Sequence, residues 1–236
     1  MSENRGERGV AVIVPVLRRP HRVAPFLTSL AAATPEPHTV HFVATAGDSE
    51  MIAEIVRLAE DDPGIVLHLL APAKVGDYAR KVNHVYRLTS APFLFTGADD
   101  LHFHPGWLDA ALSVMAAKPE IGVVGTQDLA PTDRSRNGQH STHFVVRRAY
   151  VDQFGTIDEP GKMMHEGYPH EFVDDEFVAT AKARGAWSFC HEAVVEHLHP
   201  SWGKAPRDQL YNAQRARMEA GRRVFQRRRG LWAPSR

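Results

Sequence analysis

Short apolar runs alternate with helical patterns along the first half of the chain. Five runs of strand length, rich in aliphatic and aromatic residues, cover residues 10–16, 40–45, 65–70, 93–96 and 121–125. Segments with helical character lie between them at 22–33, 47–60, 78–88 and 105–118. Runs that are apolar on both faces suit interior strands of a parallel sheet. The alternation therefore predicts an α/β fold with helices on both faces of a mostly parallel sheet.

The pattern changes after residue 125. It predicts a polar loop at 128–140, a strand at 143–147, a loop at 161–170, a helix at 174–184 and a strand at 193–198. A long arginine-rich helix follows. Because neither repeats nor a low-complexity linker interrupts the chain, we predict one domain over residues 10–203. A flexible N-terminus at 1–9 and a basic helical extension at 204–236 would flank it.

The composition of the chain limits the partners and the cellular compartment that we expect for the protein. The 236 residues carry no net charge with histidine neutral, so overall charge does not predict binding to nucleic acid or to a membrane. The single cysteine, Cys190, excludes an internal disulfide and is typical of a reducing compartment. No apolar stretch reaches membrane-spanning length, and residues 1–9 lack the apolar core of a signal peptide. We therefore expect a cytoplasmic protein.

Two adjacent carboxylates, Asp99 and Asp100, follow the predicted strand at 93–96. Ionised carboxylates at the end of a buried strand need solvent, a hydrogen-bond donor or a cation. In α/β sheets this strand end is where ligands bind. The alternative is an ordinary turn or helix cap, but the next predicted helix begins only at Pro105. The pair therefore predicts a site for Mn²⁺ or Mg²⁺ that substrate phosphates would complete.

A second acidic pair, Asp174 and Asp175, opens the predicted helix at 174–184. Carboxylates favour helix N-termini on electrostatic grounds alone. The functional alternative is a general base, because a carboxylate beside another carboxylate gains proton affinity. The segment by itself does not decide between these two interpretations.

Histidines recur at alternate positions in two places. His197 and His199 share one face of the predicted strand end, so either could complete a metal shell begun by Asp99. His102 and His104 form a similar pair, which we assign to a surface loop before Pro105.

The segment from Gly76 to Asn83 opens a predicted helix and includes Lys81. Backbone N–H groups and basic side chains at a helix start could face phosphate. The segment matches neither the dinucleotide nor the P-loop glycine pattern. Because the chain also lacks a Gly-x-Ser-x-Gly motif, nothing in the sequence indicates a catalytic nucleophile.

In order and spacing, residues 10–202 resemble a family 2 glycosyltransferase with the GT-A fold. The run that ends in Pro15 and Val16 resembles the family's first strand, whose end meets the nucleotide base. Asp48 resembles an acidic residue that contacts the base or ribose, with a helix cap as its alternative role. The segment containing Gly76, Lys81 and Asn83 resembles the stretch that runs along the donor. Residues 97–100 resemble the Asp-x-Asp motif.

The resemblance implies roles for these residues. Gly97 stands where the family has its first aspartate, which leaves Asp99 as the expected metal ligand, with Asp100 and Ala98 beside the donor. His197 or His199 resembles the family's C-terminal metal ligand. Asp175 corresponds to the usual catalytic base and Asp174 to its support. Residues 10–125 would form the nucleotide-sugar half and residues 126–203 the acceptor half.

The implied activity is transfer of a sugar, with inversion, from a UDP-, GDP- or dTDP-sugar to an acceptor hydroxyl. A divalent metal, Mn²⁺ or Mg²⁺, would assist, and the acceptor would be a carbohydrate, a lipid-linked molecule or a protein. Peripheral contact with a membrane is compatible with the basic C-terminus.

Two alternatives remain open from the sequence alone. A zinc hydrolase would use the ligands His102, His104, Asp99, His197 and His199. A non-enzymatic binder of anionic surfaces or nucleic acid would use the seven arginines between residues 215 and 229. The hydrolase leaves the early strand–helix order unexplained, and the alternative for the arginine-rich segment is a solvated helix.

Overall fold

A computed structural model describes residues 9–130, 132–212 and 214–232. The N-terminus predicted to be flexible lies, except for Gly9, outside the described residues. The strands are β1 (Val10–Pro15), β2 (His38–Thr45), β3 (Ile65–Leu70), β4 (Phe93–Thr96), β5 (Leu101–Phe103), β6 (Val123–Gln127), β7 (Phe144–Arg147) and β8 (Trp187–His197). The helices are α1 (Pro20–Ala33), α2 (Ser49–Ala59), α3 (Asp77–Leu88), α4 (Trp107–Ala117), α5 (Asp133–Arg136), α6 (Arg148–Phe154), α7 (Val173–Ala183), α8 (Gln209–Asn212) and α9 (Gln214–Arg228).

The strands join in one sheet of order β3-β2-β1-β4-β7-β6-β8-β5. Strands β3, β2, β1 and β4 are parallel, as the alternating pattern predicts. Strand β7 runs antiparallel to both of its neighbours, β4 and β6, and β5 runs antiparallel to β8. The α/β fold with a mostly parallel sheet is thus confirmed: six of the eight strands run in one direction, and the sheet is mixed because β5 and β7 run against them. Strand β7 follows residue 125, where the strand–helix alternation stops, whereas β5 lies before it, between β4 and α4.

Two apolar cores lie on opposite faces of the sheet. Strand β1 contributes Val12 and Val14 to one and Ala11 and Ile13 to the other, since successive side chains of a strand point to opposite faces. The first core is covered by helices α1, α2 and α4. The second is covered by α3, α6 and α7, with α9 packed at its margin through Val224 and Phe225. This double cover explains why β1 is apolar at every position.

The structure departs from the predicted elements where pairing depends on distant residues. Strand β8 begins at Trp187 rather than at residue 193, and its first part runs along β6. The segment predicted as a loop around His102 is strand β5, which pairs with the end of β8. Helix α6 was not predicted at all. Helix α4 begins at Trp107, not at residue 105, because Gly106 adopts a left-handed conformation at the helix start.

The arginine-rich C-terminus is docked on the rest of the chain. Arg228 is held by a bidentate hydrogen bond to Asp158 and by two further bonds to Glu176 of α7. Four other arginines of this region are exposed, namely Arg222, Arg223, Arg227 and Arg229. None of the helices in the described part of the chain has the length and apolar composition that crossing a bilayer would require.

Candidate active site

A cavity of about 300 Å³ opens beyond the carboxyl ends of β1 and β4. This position lies where the strand order changes direction, as expected for ligand sites in α/β sheets. The structure brings nine of the predicted site residues to its wall. They are Pro15, Val16, Lys81, Ala98, Asp99, Asp100, Asp174, His197 and His199.

Asp100 lies at the centre of the hydrogen bonding in this cavity. Its Oδ1 lies 3.2 Å from Nε2 of His197. Its Oδ2 accepts hydrogen bonds from the hydroxyl of Tyr211 at 2.7 Å and from Nη1 of Arg19 at 3.3 Å. Burial alone would raise the pKa of Asp100, but the charge and hydrogen bond of His197 outweigh it and lower the pKa. The carboxylate of Asp100 is therefore ionised.

Asp99 is buried beside Asp100, and its carboxyl group has fewer hydrogen-bond and charge partners than that of Asp100. It accepts a hydrogen bond from Nη1 of Arg19 at 3.2 Å. Burial and the adjacent charge of Asp100 raise the pKa of Asp99 to about 7, and Arg19 offsets this only in part. Arg19 and His197 together face two adjacent buried carboxyl groups, and Asp99 is the one with fewer partners.

Oδ1 of Asp100 and Nε2 of His197 are close enough to bind one divalent cation such as Mn²⁺ or Mg²⁺, with Asp99 beside them, and carboxylate oxygens are the preferred ligands of these ions. Among the described residues, three donor atoms lie within 4.8 Å of one another in two other groups, His140 with Asp174 and Asp175, and His165 with Asp158 and Glu159. His197 is the histidine that faces Asp100. Nδ1 of His199 instead accepts a hydrogen bond from the backbone amide of Ser201, and burial lowers the pKa of His199 to about 4.

Asp174 and Asp175 start helix α7 beside His140 and Arg134. Oδ2 of Asp174 lies 3.3 Å from Nε2 of His140, and Oδ1 of Asp175 accepts a hydrogen bond from Arg134 at 2.7 Å. Burial raises the pKa of Asp174, but the hydrogen bond from His140 outweighs it, so the net direction is down. Burial and the charge of Asp174 raise the pKa of Asp175. Of the two carboxylates, only Asp174 lines the cavity.

Lys81 reaches the cavity wall, but its ammonium group is occupied within the protein. Nζ donates to the carbonyl oxygen of Val16 and to Oγ1 of Thr45, both at 3.0 Å, and lies 2.8 Å from Oδ2 of Asp77. An ammonium group has three N–H donors, and these contacts use all three. Lys81 therefore ties α3 to the ends of β1 and β2.

Asn83 and Gly76 lie away from the cavity and position the loop at 161–170. The amide of Asn83 donates to Met164 O and Glu166 Oε1 and accepts from the backbone of Met163 and Met164. Gly76 has φ 74°, and a Cβ at this position would collide with the carbonyl oxygen of Glu166. The close approach thus requires glycine.

Asp48 also lies outside the cavity wall. It precedes α2 but does not cap the helix with its side chain. Its Oδ2 accepts a hydrogen bond from the backbone amide of Arg18 at 2.7 Å. The carboxylate thus fixes the loop between β1 and α1, next to Arg19.

Several cavity residues are absent from the predicted site residues, among them Arg19, Tyr211 and His143. Nδ1 of His143 donates to the carbonyl oxygen of Thr96 at 2.9 Å. Its buried Nε2 has no hydrogen-bond partner among the described residues, and its ring centroid lies 5.3 Å from that of His197. No local pattern marks these residues, since each lies outside the acidic and histidine pairs.

The sequence profile of the family described as Glycosyl transferase family 2 matches residues 11–174. The chain belongs to this glycosyltransferase family. The match extends from β1 to the start of α7 and includes Asp99, Asp100 and Asp174, and it ends one residue before Asp175. No curated protein matches the sequence.

Solved glycosyltransferases share the fold of this family 2 member. Mannosyltransferase PcManGT from Pyrobaculum calidifontis, in complex with GDP-Man and Mn²⁺, is 18% identical with a TM-score of 0.65, over 92% of this chain and 62% of that one. Glucosyl-3-phosphoglycerate synthase from Mycobacterium tuberculosis, with Mn²⁺, UDP and glucosyl-3-phosphoglycerate, is 10% identical (TM-score 0.62, 94% and 81% covered). S. aureus TarS 1-349 with UDP is 13% identical (TM-score 0.64, 97% and 75% covered). The chain thus spans less than two thirds of the length of the mannosyltransferase.

Family membership decides against the zinc hydrolase. The structure also separates its proposed ligands, because neither His102 nor His104 lines the cavity. His102 is exposed on β5, and Nε2 of His104 lies 3.4 Å from Glu196 on the outside of β8. Only Asp99, His197 and His199 of that ligand set reach the site.

Proposed function

We propose that this glycosyltransferase transfers a sugar from a nucleotide-sugar donor to an acceptor hydroxyl, with inversion and with the help of a divalent metal. The observation that carries the proposal is the shared cavity. Its wall includes the Asp99–Asp100 pair and His197, and also Asp174. Candidate metal ligands and a candidate base therefore line one space open to solvent.

We assign the donor to the side of the cavity at β1 and β4. Pro15 and Val16 would contact the nucleotide base, and Asp99, Asp100 and His197 would hold Mn²⁺ or Mg²⁺. The metal would neutralise charge on the departing nucleoside diphosphate. The neighbours that carry GDP-Man or UDP support a GDP- or UDP-sugar as donor, and a dTDP-sugar is the third candidate. Lys81, Asn83, Gly76 and Asp48 would act indirectly, by holding the surrounding loops.

We assign proton transfer to Asp174, whereas the sequence pattern points to Asp175. The carboxylate of Asp174 faces the cavity and is kept ionised by His140. It would accept the proton of the acceptor hydroxyl as that oxygen bonds to the anomeric carbon. The bond from the anomeric carbon to the diphosphate oxygen breaks in the same displacement, which inverts the configuration. Asp175, paired with Arg134, would support Asp174.

The acceptor would enter beside Asp174, where His170 and Glu171 line the cavity. We retain a carbohydrate, a lipid-linked molecule or a protein as acceptor, and the cytoplasm as the location. The division into a nucleotide-sugar half (10–125), an acceptor half (126–203) and a basic extension (204–236) is likewise part of the proposal. The exposed arginines of α9 could contact an anionic membrane surface peripherally. Nucleic-acid binding has no further support.

A thermal-shift panel tests the proposal. UDP, GDP, dTDP and their sugars are added to the whole chain with and without Mn²⁺. We expect one nucleotide series to raise the melting temperature, and to do so more strongly with Mn²⁺. Absence of any shift across the panel would contradict the nucleotide-sugar assignment. An equal shift with and without metal would contradict metal assistance but leave the nucleotide-sugar assignment in place.

A further inference from the structure

The segment that contains α8 reaches the carboxylate pair of the donor side. Asp208 accepts two hydrogen bonds from Arg19, from Nε at 2.7 Å and from Nη2 at 3.2 Å. The remaining Nη1 of Arg19 contacts both Asp99 and Asp100. The guanidinium lies 4.6 Å from the ring centroid of Tyr211, whose hydroxyl donates to Asp100. A segment outside the matched family region thus contacts the proposed metal ligands.

These contacts distinguish the two oxygens of Asp100. Oδ2 receives both Tyr211 and Arg19, whereas Oδ1 is directed toward His197. Because Oδ2 is occupied, Oδ1 is the oxygen of Asp100 that can bind a cation together with His197. Hydrogen-bond partners of a metal ligand fix its orientation, and their loss commonly weakens metal binding by about 10- to 100-fold.

We propose that Tyr211 is a positioning residue for the divalent metal, acting through Oδ2 of Asp100. The inference rests on the proposed function, since it assumes that Asp100 is a ligand of that metal. Asp208 completes the arrangement, because it holds the guanidinium of Arg19 against both Asp100 and the ring of Tyr211.

The charges around Tyr211 agree with this role. Asp99, Asp100 and Asp208 place three carboxyl groups around the single guanidinium of Arg19, and His197 lies beside Asp100. A divalent cation bound there would replace the proton of His197, because a metal-bound imidazole is neutral. A neutral hydroxyl donor orients Asp100 without adding a competing positive charge.

The test compares Tyr211→Phe with Tyr86→Phe. Tyr86 makes a matched tyrosine–carboxylate hydrogen bond, to Oδ1 of Asp152 at 2.6 Å, and does not line the cavity. Mn²⁺ alone is titrated into the whole chain, and free Mn²⁺ is followed by electron paramagnetic resonance. We expect Tyr211→Phe to weaken Mn²⁺ binding about tenfold and Tyr86→Phe to leave it unchanged.

As a control, the melting temperatures of both variants are measured without metal, and we expect both variants to be folded. Equal Mn²⁺ affinity of Tyr211→Phe and the wild type would overturn the positioning role and leave the proposed function intact. Equal weakening in both variants would assign the effect to stability and would also overturn it. If the wild type itself binds no Mn²⁺, the metal-dependent function fails first and the role of Tyr211 fails with it.

Discussion

Oδ1 of Asp100 lies 3.2 Å from Nε2 of His197, at the junction of strands β5 and β8. Antiparallel pairing places Leu101 opposite His197, and the amide of Leu198 donates to the carbonyl of Asp100. Two residues from distant parts of the chain therefore meet because a three-residue strand pairs with the end of a long one. The geometry of the proposed metal site thus depends on backbone pairing as much as on the side chains.

Mn²⁺ affinity should increase with pH through neutrality. Asp99 has a pKa of about 7 in the folded protein, set by burial and by Asp100, against about 4 in an unfolded chain. Metal binding requires the ionised carboxylate, so a proton must leave below pH 7. We expect the affinity for Mn²⁺ to fall about tenfold per pH unit below 7, as measured by calorimetry in several buffers.

Folding stability and Mn²⁺ affinity should depend on pH in opposite directions. A raised carboxyl pKa means that the folded state holds the proton more tightly than the unfolded state. The contribution of Asp99 to stability is therefore complete below about pH 4 and is lost as pH rises to about 7. Asp99→Asn should remove this pH dependence from the metal-free protein. An unchanged pH profile in that variant would contradict the assignment to Asp99.

Replacing the two carboxylates of α7 should separate their roles. Asp174→Asn removes the carboxylate that faces the cavity, and we expect kcat to fall by about 10²- to 10⁴-fold. Asp175→Asn leaves that carboxylate in place, so kcat should fall by less than about tenfold. Transfer from the donor identified by thermal shift is the measurement, with melting temperature as the control for folding. The reverse order of effects would return the base to Asp175.

Gly76→Ala should destabilise the protein more than Gly47→Ala. Both glycines have positive φ, at 74° and 93°, so both substitutions bear the backbone cost of about 1–2 kcal/mol. Only at position 76 would the new Cβ also collide with the carbonyl of Glu166, whereas nothing lies within 4 Å at position 47. We expect the difference in unfolding free energy, from urea titration, to be at least about 1 kcal/mol. Equal losses would show that the loop at 161–170 adjusts freely.

Lys81→Met tests whether Lys81 is structural. Removing the buried ammonium leaves Val16 O, Thr45 and Asp77 without their partner, and we expect a loss of about 2–3 kcal/mol in unfolding free energy. Lys118→Met, at an exposed position, should change it by less than about 0.5 kcal/mol. A stable Lys81→Met variant with reduced affinity for the nucleoside diphosphate would instead show direct donor binding.

Local sequence determined the elements whose packing is regular. Strands β3 and β4 begin and end where the apolar pattern predicts, because their bounds coincide with the ends of the apolar runs. Helices α1 and α3 begin within two residues of prediction. Strand β5 and the first half of β8 were missed, since their partners are remote in sequence and their polar exposed residues mask the alternation.

The chemistry of the site divides in the same way. The sequence by itself determined the α/β fold, the family and the acidic pairs at 99–100 and 174–175, because apolar periodicity and short motifs are local properties. Only the tertiary structure decided that His197 faces Asp100, that Asp174 rather than Asp175 lines the cavity, and that Lys81 and Asn83 are occupied by internal partners. The partner of a buried polar group is fixed by how strands pair and loops pack, and these contacts join residues that no local pattern relates.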